Sequence, residues 1–256
     1  MHSEVLHICG PISIQWYGLM IFLGIIIFSW AFLKDPQRKK LISTDTFFDL
    51  IGLSIVVALL GGRLLFLLTN HEGIQSMYDC IAVWDGGFSL LGSILGLLIV
   101  IPWYLRKKGI AVFKLLDLIA IYVPLLQSIS RIGCFMAGCC YGCQTCVPWA
   151  IERECSLVHP TQLYSALLLF IIFIIMRYIA QGFLKKPGQL IMLYLTLESA
   201  ERFFVDFLRG DREFFTDVGF WSVLSIHQTI ALVLCVIALI VMYQISVRAH
   251  HKHEPF

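Results

Sequence analysis

Seven runs of about 20 apolar residues constrain this chain more than any other feature. They lie near 14–33, 46–68, 88–105, 112–136, 161–179, 189–207 and 221–245. A helix of that length crosses a hydrocarbon core of about 30 Å, and lipid admits only structures that satisfy their own backbone hydrogen bonds. The expected fold is therefore all-α, a polytopic membrane protein with seven transmembrane helices. Residues 1–256 then form a single integral-membrane domain. Charged residues are 14% of the chain, well below the roughly one quarter of a soluble domain. A net charge of +2 is too weak to imply a nucleic-acid partner. Residues 1–11 are polar and lack a basic stretch, so no cleavable signal peptide is expected.

The basic residues are unevenly placed. Thirteen of the 19 Lys and Arg follow the first, third, fifth and seventh runs: Lys34 to Lys40, Arg106 to Lys114, Arg177 to Lys186, and Arg248 with Lys252. Positive charge marks the cytoplasmic side. The amino terminus is expected to be periplasmic and the carboxyl terminus cytoplasmic, with a histidine-rich cytoplasmic tail at 248–256. Eight of the nine cysteines then fall on or near the outer side, and only Cys235 lies well inside a run. An oxidising compartment permits disulfides there.

Most of those cysteines belong to a short Cys-rich periplasmic loop at about 138–159. The segment Cys139-Cys140-x-x-Cys143-x-x-Cys146 admits three chemistries. Structural disulfides can staple the loop, with Cys9, Cys80 and Cys155 as further partners. Cys139, Cys140, Cys143 and Cys146 have spacing that suits a metal, without a second matched pair to complete a ligand set. A redox or nucleophilic thiol is the third. No cofactor is called for.

Ionisable residues within apolar runs are costly and need a partner or a task. Arg131 ends the fourth run in Ser130-Arg131-Ile132-Gly133, and its planar fork suits a phosphate. The alternative is a buried ion pair with an acid of the sixth run. That run carries Glu198, Arg202, Asp206 and Arg209 at spacings that place them on one helical face. Such a face lines a wet substrate site or makes internal salt bridges. Gly61-Gly62-Arg63 permits close helix packing, with Arg63 snorkelling or contacting a ligand. Trp84-Asp85-Gly86-Gly87-Phe88-Ser89 opens the third run, with Asp85 able to cap it. His159, before Pro160-Thr161-Gln162, can act as acid or base near pH 7 or merely cap. His227 and Trp16-Tyr17-Gly18 sit at similar depth in other runs.

Taken in order, these stretches identify a resemblance. The chain resembles the bacterial prolipoprotein diacylglyceryl transferases over essentially its whole length. The matching segments are Trp16-Tyr17-Gly18-Leu19-Met20, Gly61-Gly62-Arg63, Trp84 to Ser89, Arg131-Ile132-Gly133, His159 to Tyr164, and Arg202 to Arg209. The resemblance implies transfer of the diacylglyceryl group of phosphatidylglycerol to the lipobox cysteine of a preprolipoprotein, at the bacterial cytoplasmic (inner) membrane. It implies catalytic roles for Arg131, Arg202, His159, Asp206 and Tyr17. Arg63, Asp85, Gly86, Gly87, Ser89, Gly133, Gln162, Glu198, Arg209 and His227 are expected to bind substrate. The partners implied are the phospholipid, the preprolipoprotein and the bilayer. Where the family carries a histidine, this chain has Leu91. Where it carries two Asn and a Glu after Arg-x-Gly, this chain has Cys134, Ala137 and Cys139. Two other readings stand beside this one. One is a paralogue moving a phospholipid-derived group to another acceptor. The other is a non-catalytic or thiol-redox membrane protein.

Overall fold

The structure, a computed structural model, describes residues 4–9, 12–69, 89–153, 156–214 and 224–250. Side chains up to residue 14, of residue 90 and of 248–250 lie outside that description. The chain is mostly helical. A two-stranded sheet, β1 (Glu4–Cys9) and β2 (Ile12–Gln15), leads into α1 (Trp16–Lys34), the short α2 (Pro36–Leu41) and α3 (Thr44–Thr69). Then come α4 (Leu90–Lys107) and α5 (Val112–Ala137). An antiparallel hairpin of β3 (Ile151–Arg153) and β4 (Ser156–Val158) pairs Ile151 with Val158. Helix α6 (Thr161–Ile174) continues through a π-helical stretch, Ile175–Ala180, and a last turn, Gln181–Phe183. Helices α7 (Gln189–Asp206) and α8 (Ile226–His250) complete the fold.

Among the described residues, five helices are long and apolar enough to cross a membrane: α1, α3, α5, α6 with its extension, and α8. Their apolar surface faces outward. The most apolar window of α8 has a mean hydropathy of 2.7, yet only 11% of it is buried. Phe22, Leu98, Ile99 and Val233 are all exposed. In water such apolar faces would be sticky; hydrocarbon is the solvent that matches them.

The described chain clusters into two compact units. The smaller comprises Ile8–Ser13 and Leu33–Leu115. Its α3 and α4 meet through glycines. A Cβ added at Gly61 would lie 2.6 Å from the carbonyl oxygen of Gly92, and Gly96 packs against Val57. That approach lets the Ser93 hydroxyl donate to the carbonyl of Ala58 at 2.7 Å. Small residues make such backbone-to-backbone packing possible where apolar driving force is absent. Ser89 caps α4, accepting from the Gly92 N–H at 3.4 Å. The expected cap Asp85, with Gly86 and Gly87, lies outside the described residues. Buried Arg38 donates to the carbonyl of Leu33 at 3.2 Å and to the Thr44 hydroxyl at 3.1 Å, which ties α2 to its flanking turns.

The larger unit holds α1 and the chain from Leu116 onward. Helix α5 is its centre, and 44% of its apolar window is buried, the largest share of the five. Phe32 of α1 meets Tyr122 edge-on at 5.9 Å, and Tyr122 packs on Phe173 of α6. Gly133 lets α1 come close: a Cβ there would sit 2.8 Å from Met20 Cβ and 3.5 Å from Tyr17 Cα. Asp117 of α5 caps another helix across space. Its carboxylate accepts from the backbone N–H groups of Gly188 at 2.6 Å and Ile191 at 2.9 Å, which are orphan donors at the start of α7. Asp117 is buried. Asp117→Ala is therefore expected to destabilise the protein by about 2 kcal/mol, read as a lower melting temperature in detergent. Asp117→Asn, which keeps one acceptor, should lose less.

Candidate functional site

The carboxyl end of α5, the start of α6 and the end of α7 converge in the larger unit. A helix end frees backbone groups, and this one is closed by its own loop. Gly138 takes φ +75°, the Cys139 N–H donates to the carbonyl of Cys134 at 3.2 Å, and Arg153 donates to the carbonyl of Phe135 at 3.0 Å. The loop then passes over α6. The Thr161 hydroxyl donates to the carbonyl of Cys140 at 2.9 Å, and the Gln162 amide donates to the carbonyl of Cys139 at 2.6 Å. The Gly142 N–H donates to the carbonyl of His159 at 2.9 Å, and the Cys143 N–H to that of Leu208 at 2.9 Å. Each crossing ends on a backbone carbonyl, so the loop is pinned at several points.

Beneath it lies a small cavity lined by Arg131, Cys140, Thr161, Gln162, Ser165, Arg202, Val205 and Arg209. Three guanidinium groups share it and no carboxylate lines it. Arg131 and Arg202 make neither a hydrogen bond nor an ion pair with any described residue. The acid partner considered for Arg131 on the sixth run is thus not engaged. Glu198 accepts from Gln127 at 2.5 Å, and buried Glu201 accepts from the Ser165 hydroxyl. Gln162 is 2% exposed, and its Oε1 has no partner among the described residues. A buried acceptor left open beside two unpaired cations asks for a ligand that is anionic and carries a donor.

The expected acid–base face of the sixth run is divided. Helix α7 stops at Asp206, so Arg209 lies beyond it, where its backbone bridges Gly142. Glu198 and Arg202 do share one face, facing a second cavity of about 250 Å³ with His227, Ser199 and apolar residues of α7 and α8. Asp206 is 1% exposed and turns elsewhere, accepting from the Ser225 hydroxyl, with Arg212 Nε at 3.9 Å. Arg212 in turn donates to Gln228 at 2.8 Å and lies over the rings of Phe207 and Phe214. Asp206 thus holds the segment after α7 and lies outside the lining of both cavities. Ser225, Gln228, Gln127 and Asp117 carry this buried polar framework. Sequence reasoning missed them because polar residues inside apolar runs signal a partner without naming it.

Arg209 makes a two-pronged pair with Asp211, at 2.8 and 2.5 Å. That hydrogen bond holds the Asp211 carboxyl below its ordinary range and pushes the Arg209 guanidinium up. A depressed carboxylate contributes stability that is present above its unfolded pKa and lost as pH falls through the folded value. Asp211 is largely exposed, so Asp211→Asn should cost no more than about 1 kcal/mol. The difference in melting temperature between the two proteins should vanish in acid.

His159 is half-buried and outside both cavity linings. Its Nδ1 lies 3.2 Å from the Tyr164 hydroxyl, which also accepts from the Trp149 indole at 2.6 Å. Tyr17 is 42% exposed on the first turn of α1. Arg63 and Ser89 belong to the smaller unit, where the Ser89 N–H donates to the carbonyl of Gly62 and Arg63 stands over the Phe66 ring. Leu91 is exposed on α4.

The six described cysteines whose side chains are placed, 134, 139, 140, 143, 146 and 235, are free thiols. The expected staple is not made among them; Cys9, Cys80 and Cys155 fall where no side chain is described. The candidate metal set is also regrouped. Cys139 and Cys140 gather with Cys134 of α5, while Cys143 and Cys146 are exposed and apart. Hydrogen bonding from Cys134 to the Cys140 sulfur is the largest influence on that thiol. With Cys139, Arg209 and Arg131 assisting, it lowers the pKa to about 5, whereas burial pushes Cys139 up.

A family model described as prolipoprotein diacylglyceryl transferase matches residues 3–244. The chain is similar to the phosphatidylglycerol–prolipoprotein diacylglyceryl transferase of Clostridium tetani, with 33% identity covering 90% of this chain and 92% of the relative. The protein of the same description from Vibrio atlanticus is 33% identical, covering 96% and 91%. That of Finegoldia magna is 32% identical, covering 78% and 81%.

Proposed function

The chain belongs to the prolipoprotein diacylglyceryl transferase family, and from that premise we infer how its arginine cavity serves the reaction. The protein transfers the diacylglyceryl group of phosphatidylglycerol to a cysteine thiol of prolipoproteins. A carbon–sulfur bond forms at the glyceryl carbon, the carbon–oxygen bond to phosphate breaks, and glycerol phosphate leaves. The observation that carries the site assignment is the pair Arg131 and Arg202, facing one cavity without a hydrogen-bond or ion-pair partner among the described residues.

Both guanidinium groups hold the lipid phosphodiester and offset the charge that gathers on it as the bond breaks. Arg209 adds a third cation, tethered by Asp211. The open Oε1 of Gln162 accepts from a headgroup hydroxyl, which suits glycerol. Arg202 also lines the larger cavity between α7 and α8, whose walls of Leu195, Ile230, Ala231 and Leu234 suit an acyl chain. Glu198 and His227 stand at the polar end of that groove. Gly133 serves by letting α1 bring Tyr17 close to the Arg131 helix. His159 and Tyr164 support the loop over the cavity.

The acceptor is the lipobox cysteine of a preprolipoprotein. Seven spans, the five above with α4 and α7, set the amino terminus outside and the carboxyl terminus in the cytoplasm of a bacterial inner membrane. Polar α7 then crosses against other helices rather than lipid. The test is incubation of the purified protein in phosphatidylglycerol liposomes with a lipobox peptide. Mass spectrometry should find the diacylglyceryl thioether. An active family control beside a silent, folded sample would defeat this reading, and product formed equally from a zwitterionic lipid would defeat the headgroup assignment.

A further inference from the structure

The reaction needs the acceptor thiol without its proton, and the arginine cavity offers no ordinary base. Its described lining holds three arginines, two neutral polar side chains beyond the Ser165 hydroxyl, one valine and Cys140. His159 is outside it and engaged with Tyr164. The one wall residue with further chemistry is Cys140, and it does not stand alone. The sulfurs of Cys134, Cys139 and Cys140 lie within 4.8 Å of one another, and those of Cys139 and Cys140 are 3.6 Å apart.

We propose that Cys134, Cys139 and Cys140 bind a thiophilic divalent cation such as zinc, whose open fourth position takes the acceptor thiol and ionises it beside the arginine cavity. The geometry fits. With metal–sulfur bonds of about 2.3 Å, the sulfurs of a tetrahedral site lie about 3.8 Å apart, so small side-chain rotations complete the set. Three protein ligands with one vacant position is the pattern of a working site rather than a purely structural one.

The backbone is shaped for it. Cys140 is the only non-glycine residue with positive φ among the described residues, at 61°. A side chain in that region costs about 1 kcal/mol and persists where its surroundings impose it. Here Thr161 and Gln162 grip the carbonyls on either side of that strained turn. The same grip fixes the Cys139 and Cys140 thiols against Cys134, which α5 holds in a buried position. These contacts orient the would-be ligands from outside the set, as metal sites require.

The charges also fit. Three thiolates and a divalent ion carry a net charge of −1, and a fourth thiolate makes it −2. Arg131, Arg202 and Arg209 line the adjoining cavity and offset that excess. A coordinated thiol gives up its proton to water outright, and the electron-rich sulfur remains nucleophilic. It attacks the glyceryl carbon while the carbon–oxygen bond electrons pass to the phosphate held by the arginines. The product is a neutral thioether, a weaker ligand than thiolate, so it leaves the ion and the position reopens.

This inference rests on the transferase reading above, and the test separates the two. The full chain is purified in detergent under reduction, equilibrated with zinc, dialysed and analysed for metal. About one zinc per chain is expected. Cys134→Ser and Cys140→Ser should each abolish it, while Cys143→Ser and Cys146→Ser keep it. The cobalt(II)-loaded protein should show thiolate-to-metal charge transfer and tetrahedral d–d bands. A lipobox peptide should alter those bands, and its serine counterpart should not. Chelation should lower transfer about 100-fold, with zinc restoring it. Arg131→Ala should lose transfer and retain the metal.

Several results would overturn the proposal: no metal on the reduced protein, metal that depends on Cys143 or Cys146, or full transfer after complete metal removal. A spectrum indifferent to the cysteine peptide would likewise exclude thiol activation. A metal-loaded protein whose spectrum responds to peptide, yet that never forms product, would instead sink the transferase reading and leave the metal site standing.

Discussion

Arg131→Ala is expected to lower kcat/KM for diacylglyceryl transfer by about 100- to 1,000-fold, equivalent to about 3–4 kcal/mol. The reason is its solitude. Arg131 lines the cavity with Arg202 and Arg209 and spends no hydrogen bond or ion pair on a described residue. Truncation therefore breaks no hydrogen bond or ion pair to a described residue, and the fold should survive. The loss should fall on kcat as well as KM, since charge on the phosphate grows as the bond breaks. Arg131→Lys should recover only part, because an ammonium cannot present the planar fork. Steady-state kinetics with varied phosphatidylglycerol check both. Wild-type rates from a folded Arg131→Ala protein would remove the arginine from the mechanism.

Gly61→Val is expected to cost stability rather than chemistry, by about 3 kcal/mol or more. Its Cβ would lie 2.6 Å from the Gly92 carbonyl oxygen, 3.3 Å from its carbon and 3.6 Å from Gly96 Cα. All three are backbone atoms, so no flexible side chain can yield. Helices α3 and α4 would have to part, and the Ser93 bond to Ala58 would go with them. Gly52, on the same helix, has nothing within 4 Å of its would-be Cβ. Gly52→Ala should be harmless or slightly stabilising, by up to about 1 kcal/mol. Melting curves of the two variants in detergent make the comparison. Equal melting temperatures would mean that the helices do not pack on their glycines.

The helices were legible because hydrocarbon imposes length and hydropathy together. The run at 46–68 became Thr44–Thr69, and that at 189–207 became Gln189–Asp206. The last run begins later than read, at Ile226, because buried Ser225 accepts from the Gln228 N–H at the helix start. Arg131 and Arg202 were legible as costly charges, and both line one cavity. What periodicity could not supply was pairing between distant helices. Nothing near Asp117 announces that it caps α7, some 70 positions away. Nor does spacing show that Asp206 turns toward Ser225 while Arg202 faces the cavity. The cysteines mislead in the same way. Their even spacing suggested Cys143 and Cys146, whereas the turn after α5 folds Cys139 and Cys140 back onto Cys134.

On the reading proposed above, Arg131 and Arg202 hold the phosphodiester of phosphatidylglycerol. Native mass spectrometry of the protein released from phosphatidylglycerol-containing micelles tests it without reference to turnover. Wild type should retain one phosphatidylglycerol per chain in preference to zwitterionic lipid, and Asp211→Asn should retain it as well. The double variant Arg131→Ala with Arg202→Ala should lose that preference. Equal retention by wild type and the double variant would contradict the account and place the lipid elsewhere.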